Sequence, residues 1–297
     1  MKKILLAVLL MVTFNLSNGQ TLEKELLIRC DDMGMSHAVN MAFVEMLKSK
    51  LVFSASIMFA CPWYPEAVEI LKQHPEISKG IHLMLNSEWK NYRWSPAAGA
   101  GSVPSLVDSN GFFFGSRDAL YKNNPKTEDV EKELRAQIKR ALNSGLKIDY
   151  MDYHMGTAVD KPEYRQIVEK LSKEFGLAIS RYFGETDIPS MYSAPIENKK
   201  DSLIQTIRKI EPGTINLLVC HIGKDTPELE AMIDLNSFGL KNMSKHRNAE
   251  LNSLLSPEFR KELEQNEIKL IDYKFLINNI GLENMRSPVE IEEGIYK

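Results

Sequence analysis

Two hydrophobic periods alternate along the chain. Leu26-Leu27-Ile28 is a continuous apolar run that breaks off in Arg29-Cys30-Asp31-Asp32-Met33-Gly34, the pattern of a buried strand with a polar end. Gly34 permits a sharp turn and Ser36 can cap a helix, for which Val39, Ala42, Phe43, Met46 and Leu47 supply an apolar face as far as about Lys50. Further strands are predicted over 52–60, 79–86, 147–156, 177–183, 215–222 and 269–276, and further helices over 66–73, 162–176, 202–210 and 257–265. A helix capped by Thr127 carries Val130, Leu134, Ile138 and Leu142 on its buried side and ends at Gly145. Pro162 opens the next helix, whose buried side holds Ile167, Val168, Leu171 and Phe175.

Two segments escape this alternation. Residues 87–125 dissolve into Gly, Ser, Pro and aromatic residues, including Trp89, Tyr92, Trp94 and Phe112-Phe113-Phe114. Their aromatic rings suit either stacking on sugar faces or a loop folded over its own small core. Residues 224–248 show no clear period, and the tail beyond Gly281 reads as surface.

About seven strands in regular alternation with helices imply a parallel sheet. No strand is followed by a dinucleotide-type glycine fingerprint, which removes the main sign of a doubly wound open sheet. The expected class is therefore α/β, a TIM-like (β/α) barrel of about seven parallel strands, with distortion or incomplete closure allowed. Residues 20–297 would form one such domain, with 87–125 as an insertion.

Composition narrows the partners. The 297 residues are 43% hydrophobic and 26% charged with a net charge of −3, enough apolar content for a large core and no basic run to bind nucleic acid. Residues 1–19 read as a signal peptide: Lys2-Lys3, the apolar run Ile4 to Phe14, then Ser17 and Gly19 ahead of a cleavage site at Gln20. That run is too short to span a membrane, so a secreted or periplasmic protein with no stable span after signal removal is expected, an uncleaved anchor being the alternative. Cys30, Cys61 and Cys220 are too few for a disulfide framework and read as small buried hydrophobes.

Four polar residues close predicted strands, namely Asp32, His82, His154 and His221, and in a barrel such strand ends converge on one face. A single histidine in this position is most often a satisfied core residue. The conjunction is more telling, since His37, His74 and His246 fall instead on helix or loop positions that read as solvated. Asp32, His82 and His154 make a carboxylate and two imidazoles, a set suited to zinc or another divalent metal with open positions for water and substrate. His221 is assigned elsewhere, because a fourth protein ligand could close the site.

Taken in order, Arg29-Cys-Asp31-Asp32-Met-Gly, Gly80-Ile-His82-Leu, Asp152-Tyr-His154 and Cys220-His221-Ile-Gly, with Arg247-Asn-Ala-Glu250 before the last helix, the chain resembles the YdjC-like carbohydrate deacetylases, which include chitooligosaccharide and hopanoid-associated deacetylases. The resemblance runs from Leu26 to about Leu276. It implies a TIM-like barrel and a divalent ion, zinc or magnesium, held by Asp32, His82 and His154. Two positions depart from the family pattern: Gly156 stands where many members have a second histidine, and Ile222 where a proline is familiar.

With such a site, Asp31 would serve as general base, and Arg29 on the same strand face would hold it ionised or simply balance its charge. His221 would protonate the departing amine, and Asp152 would orient a histidine. The expected activity is a metal-dependent hydrolase removing acetyl groups from N-acetylated saccharides. Rivals are a glycosidase using Asp31 and Asp32, disfavoured because neighbouring strand residues face opposite ways, and a catalytically silent carbohydrate-binding barrel. The sugar, the acyl group, the metal and a homodimeric state are left open by the sequence.

Overall fold

The structure, a computed structural model, describes residues 22–288, so the expected signal peptide lies outside the described residues. Eight parallel strands form one sheet: β1 (Lys24–Met33), β2 (Ser54–Ile57), β3 (Ser78–Leu83), β4 (Tyr150–Tyr153), β5 (Ala178–Ile179), β6 (Thr186–Asp187), β7 (Ile215–Cys220) and β8 (Ile268–Ile271). Their order is β5-β4-β3-β2-β1-β7-β6, with β8 also on β1. The sheet curls into a half-barrel, the distorted and incompletely closed form of the TIM-like barrel. Among the described residues its end strands β5 and β6 do not pair with each other.

β1 is the long central strand, and three neighbours share it. β7 lies along Glu25 to Cys30 on one side. On the other, β8 takes Lys24 to Leu27 and β2 takes Arg29 to Met33. A strand so shared is buried from Leu26 to Met33, which is why Leu26-Leu27-Ile28 is a continuous apolar run rather than an alternation.

The connections are helical: α1 (His37–Lys48), α2 (Tyr64–Lys72), α3 (Arg117–Lys122), α4 (Thr127–Leu142), α5 (Pro162–Phe175), α6 (Lys199–Ile207), α7 (Pro227–Glu230), α8 (Met243–Leu254), α9 (Pro257–Gln265) and α10 (Tyr273–Asn279). Ser36 caps α1 by accepting from the Val39 amide, and Gly176 ends α5 in a left-handed conformation, both as the sequence implies.

Several expectations shift. The strand predicted over 269–276 stops at Ile271, because the Asp272 side chain accepts from the Phe275 amide and starts α10. α4 begins with Thr127 already helical and without a side-chain cap, and Leu142 is exposed rather than buried. β5 keeps only two of the seven predicted residues, and β6 had no signal in the sequence. The unassigned stretch 224–248 contains α7 and the first half of α8, which buries Ser244, Arg247 and Glu250 beside Met243 and Leu251 and so lacks an apolar stripe. His246, expected in solvent, is half-buried.

Strand alternation divides the core. Ile28, Cys30, Ala55, Ile57, Ile81, Met151 and Ile179 face outward into the helix layer. Inside, Leu27, Tyr150, Ala178, Leu217, Ile271 and Tyr273 plug one end of the barrel. Above this plug the inward positions turn polar with Ser56, His82, Asp152, Arg29 and Asp31, all buried. The three cysteines are free and buried, as small hydrophobes.

The 87–125 insertion follows its inward-folded reading. Trp89, Trp94, Val103, Leu106, Phe113 and Leu120 are buried. The Glu133 carboxylate of α4 accepts from the Ala97 and Ala98 amides, both at 2.8 Å, and ties the insertion to the barrel wall.

Gly80 on β3 is dictated by this interior. A Cβ there would lie 2.3 Å from the Tyr150 ring, which cannot retreat because it stacks on Tyr273 at 4.0 Å and bonds the Ser56 hydroxyl at 2.7 Å. Gly80→Ala is expected to cost about 1–3 kcal/mol through overpacking. Urea denaturation monitored by circular dichroism checks this, and an unshifted midpoint would refute the packing account.

Candidate active site

Asp31 and Asp32 are neighbours on a strand, and strict alternation would send one carboxylate out of the barrel. A bulge prevents this. Cys30 pairs with Ala55 and Met33 with Ile57, so two residues of β1 stand opposite the single Ser56 of β2. Asp32 takes a left-handed backbone with φ of 70°, a strain of about 1–3 kcal/mol for a residue with a side chain. The bulge re-aims Asp32 toward the same face as Asp31. Gly34, at φ of 87°, turns the chain into α1.

Around Asp32 three donor atoms converge. Its Oδ1 lies 3.3 Å from His82 Nε2 and 3.5 Å from His154 Nδ1, and these two nitrogens are 3.3 Å apart. Ligands about 2.0–2.1 Å from a tetrahedral ion are about 3.3–3.4 Å from one another, so the triangle has the size of a divalent-metal face. Each outer histidine nitrogen is held by a carboxylate: His82 Nδ1 by Asp152 Oδ1 at 3.1 Å, and His154 Nε2 by Glu88 Oε2 at 3.0 Å. This arrangement leaves the inner nitrogens with their lone pairs toward the centre. Burial alone would lower both imidazoles. Asp152 and Asp31 outweigh it for His82, and Glu88 and Asp32 for His154, pushing them up to about 10 and about 9.

A second trio, Asp31, His82 and Asp152, is also close, but its cation is already supplied. Arg29 donates from Nε and Nη2 to the two Asp31 oxygens at 2.7 and 2.8 Å, lies 2.8 Å from Asp152 Oδ2, and gives Nη1 to Ser180 at 2.7 Å. Burial would raise the Asp31 carboxyl, and the Arg29 guanidinium overcomes it and holds the group at about 2. Asp32 is also held well below the usual carboxylate range, against burial, chiefly by Arg247, whose Nη2 donates to its Oδ2 at 2.6 Å.

The site opens into a cleft of about 860 Å³ lined by Asp32, Glu88, Trp89, His154, His221 and Arg247, with Tyr192 and Phe238 farther out, a size normal for small-ligand sites. His221 follows β7 and meets Tyr192 edge-on at 5.5 Å between ring centroids. Its backbone N–H donates to Glu250 Oε2 at 2.8 Å, while burial lowers its imidazole. Among the described residues, most buried side-chain polar atoms that lack a partner belong to residues lining this one cleft: Asp32 Oδ1, Trp89 Nε1, His221 Nδ1, and Nε and Nη1 of Arg247. Native proteins rarely leave such atoms unpaired without a use.

All six residues singled out from the sequence thus lie in this region: Asp32, His82 and His154 around one point, Arg29 and Asp31 paired inside the barrel, and His221 on the cleft wall. Glu88 was not foreseen, since it opens an irregular insertion, and Arg247 carried no assigned role. A loop explains how Glu88 is placed. Leu235 N donates to Glu88 O and Lys90 N to Ile233 O, both at 2.8 Å, zipping the start of the insertion to residues 233–235.

Arg29→Met would leave Asp31 and Asp152 without their cation in the interior, and a loss of about 3–5 kcal/mol is expected. Arg208→Met, which breaks a pair between a solvent-facing guanidinium and Glu262, is expected to shift the midpoint far less. Chemical denaturation of both variants checks the contrast, and equal losses would show that Arg29 is not the structural centre of the site.

Comparison with known proteins agrees with this architecture. The family described as YdjC-like protein matches residues 25–265. A carbohydrate deacetylase of Brevibacillus brevis is 29% identical over 263 residues, covering 85% of this chain and 99% of that protein. One from Geobacillus stearothermophilus is 28% identical over 257 residues, covering 84% and 96%. Among solved structures, an Enterococcus faecalis protein described as a cellobiose-phosphate cleavage protein has a TM-score of 0.71 at 22% identity, covering 86% of this chain and 99% of that one, a likeness of fold. With the match running from β1 through α9, the chain belongs to the YdjC-like protein family.

Proposed function

We propose that this protein is an exported, metal-dependent deacetylase that hydrolyses the acetamide of N-acetylated saccharides. The observation that carries the reading is the triangle of Asp32 Oδ1, His82 Nε2 and His154 Nδ1, each histidine anchored behind by a carboxylate. Relatives named carbohydrate deacetylases over nearly their full length support the substrate class. Export rests on the N-terminal pattern of the sequence. Among the described residues no helix is long and apolar enough to cross a membrane.

Asp32, His82 and His154 would hold the ion, and two imidazoles with one carboxylate favour zinc over magnesium, which prefers all-oxygen surroundings. The chemistry such an ion supplies is polarisation of a water and of the acyl oxygen. Asp31, ionised at any working pH under the hold of Arg29, accepts the proton of the attacking water. It is a weak base, adequate for a water already acidified. His221, on the cleft wall, would deliver a proton to the departing nitrogen. Asp152 and Glu88 keep the two ligand histidines in their binding tautomers.

The glycosidase alternative fits less well, because Asp32 is committed to Arg247 through Oδ2 and to the two histidines through Oδ1, as a ligand is, and not placed as the second carboxyl of an acid–nucleophile pair. The silent-barrel alternative is weakened by the ligand triangle itself, which a barrel that only bound sugar would not need, and by Trp94, which is buried away from the cleft.

His82→Ala and His154→Ala are each expected to abolish tight zinc binding in titration calorimetry and acetate release from N-acetylated saccharides. Asp31→Asn is expected to keep the metal while turnover falls by about 10²–10⁴. Wild-type protein that releases no acetate with zinc, cobalt, manganese or magnesium would instead support the silent barrel.

Glu88→Gln, which weakens the anchor of His154, is expected to lower zinc affinity by about 10–100-fold. Because the neighbouring carboxylates push both ligand imidazoles up and a ligating nitrogen must be bare, zinc uptake at about pH 7 is expected to release protons. Calorimetry in buffers of different ionisation enthalpy measures this, and uptake without proton release would contradict the ligand assignment.

A further inference from the structure

We infer that Arg247 is a catalytic residue whose unpaired guanidinium N–H groups bind the acyl oxygen of the substrate and carry the negative charge that forms there during hydrolysis. This rests on the deacetylase reading above and assigns a role within its site.

The starting observation is a contrast between two buried arginines. Arg29 uses Nε, Nη1 and Nη2 on Asp31 and Ser180. Arg247 is equally buried, at 3% exposure, yet spends only Nη2, on Asp32. Its Nε and Nη1 are buried without a partner, and the residue itself lines the cleft. If Arg247 merely balanced the charge of Asp32, one donor would suffice and the rest of its fork would be expected to find carbonyls, as buried guanidinium groups do. Its ring-side neighbour is Trp89, whose centroid lies 5.9 Å from Cζ and which holds the guanidinium plane in place rather than satisfying its donors.

Position adds to the argument. Asp32 presents Oδ1 to the two ligand histidines and Oδ2 to Arg247, so the guanidinium flanks the point on which the ligands converge. An acyl oxygen drawn to that point from the cleft also meets the free donors of Arg247. In the addition step the water oxygen bonds to the acyl carbon, the carbonyl electron pair moves onto the acyl oxygen, and Asp31 takes the water proton. On collapse that pair returns, the C–N bond breaks, and the nitrogen leaves with the proton from His221. The charge on the acyl oxygen exists only between these steps, so donors fixed beforehand stabilise the transition state more than the bound substrate.

The experiment compares wild type, Arg247→Lys and Arg247→Met at saturating zinc. Zinc affinity is measured by calorimetry, turnover by acetate release from N-acetylglucosamine oligomers, and affinity for a methylphosphonamidate analogue that mimics the tetrahedral oxyanion. Arg247→Lys retains the charge beside Asp32 but loses the fork. It is expected to lower kcat by roughly 10²–10³ with KM changed less than about threefold, and to weaken analogue binding in step with kcat/KM. A kcat within about threefold of wild type, or a lower kcat with analogue binding unchanged, would overturn the proposal and leave Arg247 a positioning residue for Asp32. Should both variants fail to fold, a crystal structure of the wild-type zinc form with the analogue decides: its acyl-derived oxygen beyond about 4 Å from both Nε and Nη1 overturns the proposal. Wild-type protein inactive on every acetamide would instead remove the underlying deacetylase reading.

Discussion

A guanidinium enclosed by a parallel sheet is the constraint on which the site depends. Arg29 sits inside the barrel between Asp31 and Asp152, and three charges buried together are tolerable only because the positive one touches both negative ones. The price of this arrangement in desolvation is offset by what it keeps in place. Asp31 remains ionised, Asp152 remains free to hold His82, and the apolar plug of Leu27, Tyr150, Leu217 and Tyr273 seals the charges from below.

The second constraint is local. Two adjacent acids could not serve one site on a regular strand, and the bulge at Asp31–Asp32 lets them do so at the cost of a left-handed aspartate. Arg247, reaching in from α8, holds that strained carboxylate in place, and Glu250 on the same helix holds the backbone at His221. Glu250 is in turn paired with the fully buried Lys199 of α6 at 3.3 Å. A helix with little apolar contrast thereby ties two walls of the site together.

The site residues come from widely separated stretches, and each arrives by the same device. Strand ends or the turns just beyond them supply Asp32, His82, His154 and His221, while Glu88 arrives on a loop pinned by residues 233–235. Rigid placement of this kind suits a reaction that depends on pre-set charge and hydrogen-bond donors more than on movement.

The sequence by itself determined the α/β alternation, the parallel sheet and the identity of the polar strand ends, because the apolar runs of β1, β3 and β7 are local to short windows and are broken by Asp32, His82 and His221. It could also mark the insertion as irregular. Tertiary structure alone decided the rest. Incomplete closure and the brevity of β5 and β6 depend on pairings between residues far apart in the chain. The partners Glu88 and Arg247 are ordinary charges in their own windows and become part of the site only when folding brings them to His154 and Asp32. The bulge that aims Asp32 is visible only against Ser56 of the neighbouring strand, since backbone register is a relation between strands and no single strand encodes it.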